Sequence, residues 1–207
     1  MNVFFIINKL NYLRLFPLLI YFFFLNQEKR LIVIKDLERY GIYHRRLALS
    51  EKYSLLFIKV INNHKEFRNL FYHRIKLSHT MLLSLFAKPF DGLYLTPFPK
   101  MVIDPGGILF QHPFSTIINA ASIGYGCIFR HNTTVGNIHE NLDLVPVFLN
   151  NVNVGASCVI VGKITIGNNV IIGAGTVLTK SVPDNCVVVG NPARIIRKDG
   201  KRCDIKL

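Results

Sequence analysis

Acidic side chains are scarce in this sequence: 12 Asp and Glu stand against 25 Lys and Arg in 207 residues, a formal charge of +13. A composition that is half hydrophobic and only 18% charged excludes a disordered chain. It also leaves room for one domain, or one domain with a smaller appendage. Most of the positive excess lies early, with 16 basic and 6 acidic residues up to residue 100 and 9 and 6 after it. Such a surface suits nucleic acid, membrane phosphates or a polyanionic metabolite. No nucleic-acid module and no basic–aromatic stripe is recognisable, so no nucleic-acid partner is expected. Cysteine is scarce too. Cys127, Cys158, Cys186 and Cys203 form no CxxC pair. That excludes a disulfide framework and points to free thiols in a reducing, cytoplasmic compartment.

Long apolar runs are also missing. The longest stretch, LFPLLIYFFFL from Leu15 to Leu25, holds 11 residues behind Lys9 and Arg14, too few to span a bilayer. NQEKR follows it where a signal peptide would carry a small-residue cleavage site. Two readings of residues 1–30 stay open: a helix buried in the domain or an oligomer interface, or peripheral membrane contact by aromatics beside basic residues.

What is present divides in two. Residues 31–96 have helical spacing. After Ser50 and Glu51, the residues Tyr53, Leu56, Phe57, Val60 and Ile61 fall on one face. Asn62 and Asn63 interrupt the pattern. It resumes with Phe67, Leu70, Phe71 and Leu77 on one side and Lys65, Arg68 and Lys76 elsewhere. Pro97, Pro99 and Pro105 then exclude a helix interior and mark the boundary at 96/97.

Beyond it the period is six. Ile117, Ile123, Phe129 and Val135, then Phe148, Val154, Ile160, Ile166, Ile172 and Leu178, place a large apolar residue at each step. Four residues after each, outside the interval 135–148, stand small or β-branched residues such as Ala121, Cys127, Thr133 and Thr176. Six residues make a short strand and a corner, and three such units close a triangular coil. The prediction is a stack of coils over residues 97–198, with a basic tail at 199–207. The 13 residues from Val135 to Phe148 are too many for two hexapeptides, so NIHENLDLVP is expected to leave the coil as a loop.

IGNNVIIGAGTVLTKSVPDNCVVVGNPARII resembles the end of a hexapeptide-repeat acyltransferase. GGILFQHPFSTIINAASIGYGCIFRHNTTVGN (residues 106–137) is similar to the serine O-acetyltransferase branch of that family. The resemblance implies an α+β chain: a helical domain, then a left-handed parallel β-helix of hexapeptide repeats, in a homotrimer or dimer of trimers. It implies acetyl-CoA as co-substrate and no permanently bound cofactor. His112 would be the general base that takes the acceptor's hydroxyl proton. Ala156 and Ala174, 18 residues apart with Gly155 and Gly173 beside them, would stack to leave backbone open to the pantetheine arm. Lys180 and Arg194 would meet the coenzyme's phosphates, although solvated surface charge is their bland reading. Asp36 and Asp104, with Gln111, are the acceptor-binding candidates.

Two departures bear on the acceptor. The resemblance implies an Asp directly before the catalytic His, where this chain has Gln111. It implies basic residues before the loop proline, where Leu144 and Val145 stand. Recognition of serine needs a carboxylate for the amino group and cations for the carboxylate, so a sugar hydroxyl in surface-polysaccharide synthesis is the alternative acceptor. Two other classes remain. One is a β-helix without catalysis. The other is a zinc enzyme similar to gamma carbonic anhydrases. His112, His131 and His139 do not give the two histidines five apart that such enzymes carry, so no metal is expected.

Overall fold

A computed structural model describes residues 12–44, 52–75, 77–103, 106–138, 141 and 143–207. The chain divides into two compact units between Phe90 and Asp91. The division precedes the proline-rich stretch because the strand at Leu93–Leu95 already pairs with Thr116–Ile118.

The first unit is helical: α1 (Phe16–Phe24), α2 (Gln27–His44), α3 (Tyr53–Asn63), α4 (Lys65–Ile75) and α5 (Leu77–Ser84). Pro17 opens α1, where its missing N–H is harmless. NQEKR is a helix start: the Asn26 Oδ1 accepts the Lys29 N–H at 2.9 Å and caps α2. Leu56, Phe57, Val60 and Ile61 are buried as their spacing predicts, whereas Tyr53 lies exposed with its hydroxyl donating to Glu38. Ser50 and Glu51 lie outside the described residues. Rings join the helices: Phe22 stacks on Phe57 at 4.7 Å, and Phe57 meets Phe71 edge-on at 5.2 Å. Arg68, placed by the sequence pattern off the apolar face, is buried. Its Nε donates to Ile61 O at 2.8 Å, its Nη2 to Asn62 O at 3.1 Å and its Nη1 to Lys88 O at 3.0 Å. A guanidinium, with five N–H donors in a fixed fork, can serve several carbonyls at once, including those orphaned at the end of α3.

The second unit is a parallel β-helix of five coils. Coil one holds β1 (Leu93–Leu95), β2 (Val102–Ile103) and β3 (Leu109–Gln111). Coil two holds β4 (Thr116–Ile118), β5 (Ser122–Ile123) and β6 (Ile128–Arg130). Coil three holds β7 (Thr134–Gly136), β8 (Val147–Phe148) and β9 (Asn153–Val154), and coil four β10 (Val159–Val161), β11 (Thr165–Ile166) and β12 (Ile171–Ile172). Coil five runs through β13 (Val177–Leu178), a bridge from Val182 to Ile166, and β14 (Cys186–Val189). β15 (Arg194–Lys198) and β16 (Lys201–Lys206) then turn back antiparallel on β14.

Each sheet has its interior column. Ile118, Val135, Ile160 and Leu178 fill the first, Ile103, Ile123, Phe148 and Ile166 the second, and Phe110, Phe129, Val154, Ile172 and Val188 the third. Nine of the ten residues picked by the six-residue period are therefore core. The tenth is corrected: Ile117 is 48% exposed and Ile118, at 0%, takes its place. Only five residues separate Ile118 from Ile123, so the period overshoots by one there, and a one-residue slip exchanges the two faces of a strand.

Corners are fixed by left-handed residues. Gly107, Gly126, Asn151, Asn169 and Asn185 all have φ between 56° and 73° and share one corner column. Asn tolerates that region and adds a side-chain ladder. Asn151 donates to Asn169 at 3.2 Å, Asn169 to Asn185 at 3.0 Å and Asn185 to Asp199 at 3.1 Å. A parallel ladder runs from Asn150 through Asn168 to Asp184.

Candidate active site

The corner between the third and first sheets is a turn of constant length in three coils. Six residues separate Phe129 from Val135, Val154 from Ile160 and Ile172 from Leu178, but eight separate Phe110 from Ile118. The two extra residues widen the corner of the first coil, and His112 sits in the widening. Its φ is 51°, and its carbonyl accepts the Phe114 N–H at 2.7 Å, which closes a tight turn. Ser115 repeats the left-handed conformation, also at 51°. Asn132 N–H donates to Phe114 O at 2.7 Å, anchoring the turn to the next coil. Pro113 is buried beneath it while the His112 and Phe114 side chains face solvent. An exposed imidazole held on a pinned backbone can take a proton from a hydroxyl.

Gln111 ends β3, half-buried, and its partner across the ladder is Arg130. The Nη1 of Arg130 donates to Asn153 Oδ1 at 2.5 Å and Val154 O at 3.0 Å, so the cation is held against the coil beyond. Neither Arg130 nor its neighbour His131 was marked by sequence as part of an acyl-transfer site. Both lie in the repeat that follows His112.

Phe114, His131, Ala156 and Ala174 occupy one corner column. Backbone bonds link it: Ser157 N–H donates to His131 O at 3.0 Å and Gly175 N–H to Ala156 O at 2.8 Å. The column thus falls from two large side chains to two methyls, which leaves the backbone at Ala156 and Ala174 open. Gly155 is buried, and a Cβ there would lie 2.5 Å from the Ala174 amide nitrogen. A Cβ on Gly173 would approach Val189 Cγ1 to 2.8 Å. These glycines are accounted for by coil stacking.

The remaining candidates are dispersed. Lys180 is exposed just after β13. Arg194 is engaged by Asp204, whose two carboxylate oxygens accept from its Nε and Nη2. Asp36 lies in the helical unit, 1% exposed, with its carboxylate accepting from Arg74 Nε at 3.0 Å and Nη2 at 3.3 Å. Asp104 and His139 lie outside the described residues. In the loop, Val145 and Pro146 are buried and Pro146 O accepts the Ala121 N–H at 2.8 Å, so the chain is already back in register there. Among the described residues, no three His, Cys, Asp or Glu side chains gather as metal ligands would.

Residues 147–180 match the family described as bacterial transferase hexapeptide (six repeats). A serine acetyltransferase of Synechococcus elongatus is 35% identical over 125 residues, which cover 59% of this chain and 50% of that one. An Escherichia coli (strain K12) protein, WcaB, provisionally named a colanic acid biosynthesis acetyltransferase, is 42% identical over 86 residues, 41% of this chain and 53% of its own. The chain spans about half the length of these curated relatives. In fold it is similar to the Neisseria gonorrhoeae serine acetyltransferase, with a TM-score of 0.65 at 24% identity, covering 85% of this chain and 67% of that one. The α+β architecture expected from sequence, helices followed by a hexapeptide-repeat β-helix, is that of this solved structure.

Proposed function

We propose that the chain is an acetyl-CoA-dependent O-acetyltransferase with His112 as general base. The observation that carries this reading is the widened corner. The β-helix keeps one turn length elsewhere in that column and departs from it where a histidine stands exposed. Acyl transfer from a thioester needs a base for the acceptor hydroxyl, donors for the developing oxyanion and a bed for the coenzyme. His112 fits the first requirement. Backbone N–H groups of the neighbouring coils fit the second. The Ala156–Ala174 corner, with Lys180 beyond it, fits the third. Arg194, its Nε and Nη2 engaged by Asp204, would meet a phosphate through its remaining N–H groups.

L-serine is the acceptor that the serine acetyltransferase relatives favour. A sugar hydroxyl is favoured by the residues themselves. Gln111 is neutral, Val145 is committed to the core, and the Asp36 carboxylate is held by Arg74. The assembly that accompanies this reading is a homotrimer or dimer of trimers. Free-thiol release from acetyl-CoA, with L-serine and then a panel of sugars, tests the proposal. Turnover with either supports acetyl transfer and chooses the acceptor; no turnover with any, together with no coenzyme A binding, overturns it in favour of a non-catalytic β-helix.

A further inference from the structure

α1 breaks a rule of surface helices. Its sequence FPLLIYFFF carries no charge, and only Tyr21 has a polar side-chain atom. A helix that is apolar all round belongs in a core, yet only one side of α1 is in one. Leu15, Leu18, Phe22 and Leu25 are buried within the helical unit. On the opposite side Leu13, Phe16, Ile20, Phe23 and Phe24 are between 42% and 82% exposed. Beside that face, a cavity of about 390 Å³ is lined by Tyr12, Leu13, Phe16, Leu19 and Ile58. Contiguous apolar surface of this kind marks a docking site.

Charge decides between occupants. Among the described residues from 12 to 90 there are eleven Lys and Arg against four Asp and Glu. Arg68 and Arg74 are buried, and the other nine cations are half-exposed or exposed. Docking two helical units through this face would set one such excess of cations against another. An anionic lipid surface attracts a unit with this excess of cations and receives the aromatic face at its headgroup boundary. No helix among the described residues is long and apolar enough to cross a membrane, so α1, about 14 Å long at 1.5 Å per residue, is suited to lie in the interface plane. We propose that α1 is a peripheral anchor whose outer face seats in an anionic bilayer surface. This stands independently of the catalytic role of His112.

The chain contains no tryptophan, so Phe24→Trp supplies a fluorophore without background. Purified full-length protein would be mixed with vesicles of phosphatidylcholine, alone or equimolar with phosphatidylglycerol. Emission should shift to the blue with the anionic vesicles, and added salt should weaken the partitioning. Replacing Phe16 and Phe24 together by Ser should lower co-sedimentation by about tenfold or more, given the apolar area withdrawn from lipid. Both side chains are exposed, so the far-ultraviolet spectrum and thermal midpoint should not change. Equal co-sedimentation of the double variant and the parent would overturn the proposal, as would failure of the parent to bind. A drop in oligomer mass in the double variant, with no lipid binding by the parent, would assign the face to a second copy of the chain.

Discussion

Holding a residue other than glycine in the left-handed region costs about 1–2 kcal/mol, less for residues such as Asn and His that tolerate it. His112 bears that cost in a turn two residues longer than the stacking requires. The expected result for His112→Ala is a fall in kcat of about 10²–10⁴-fold with coenzyme A binding retained, the share that general-base catalysis supplies. Steady-state kinetics beside a direct coenzyme titration check it. Asp36 offers the opposite case. Its carboxylate and Arg74 are a buried ion pair, so Asp36→Asn should destabilise the fold by about 3–5 kcal/mol. Denaturant titration measures this. A variant of unchanged stability but raised KM for the acceptor would instead make Asp36 a binding group. The sequence marked His112 through its motif but could not show that Asp36 has a partner 38 positions away.

At the scale of the coil, stacking is so close that single methyl groups matter. Gly155→Ala places a Cβ against the Ala174 backbone, which cannot yield as a side chain would. A loss of about 1–3 kcal/mol is expected, read as a lowered thermal midpoint. The asparagine ladders set a pH limit. Asp184 accepts from the Asn168 side chain and from its backbone N–H, which together hold its carboxyl below the ordinary 3.8. A depressed pKa gives stability that is present above 3.8 and lost as pH falls through the lower folded value. The acid limb of the thermal midpoint against pH should therefore flatten in Asp184→Asn. The six-residue period was legible because every coil needs the same core residue. The slip at Ile117 was not, because a period carried back from Ile123 cannot sense a five-residue segment. The same shortfall hid the longer turn at His112.

For the whole molecule, the spacing changes from helical to a period of six at 96/97, and the two compact units divide between Phe90 and Asp91. β1 lies before the proline-rich stretch and pairs with β4, so the coils begin ahead of those prolines. Burial of Arg68 was illegible because a charged residue reads as surface, and only the ends of neighbouring segments, once folded, supply its carbonyls.

The antiparallel return of β15 and β16 on β14 has a further consequence. A stack of parallel coils ends in a row of unpaired amide and carbonyl groups, the template on which a second chain can add a strand and begin a fibril. β14 would present Cys186–Val189, an apolar strand, as that template. The hairpin covers it and leaves KRCDIK outermost, four of whose six residues are charged. Deletion of residues 194–207 should make the protein aggregate at concentrations where the full chain stays clear, followed by light scattering and thioflavin fluorescence. The basic end of the chain is thus its guard against polymerisation.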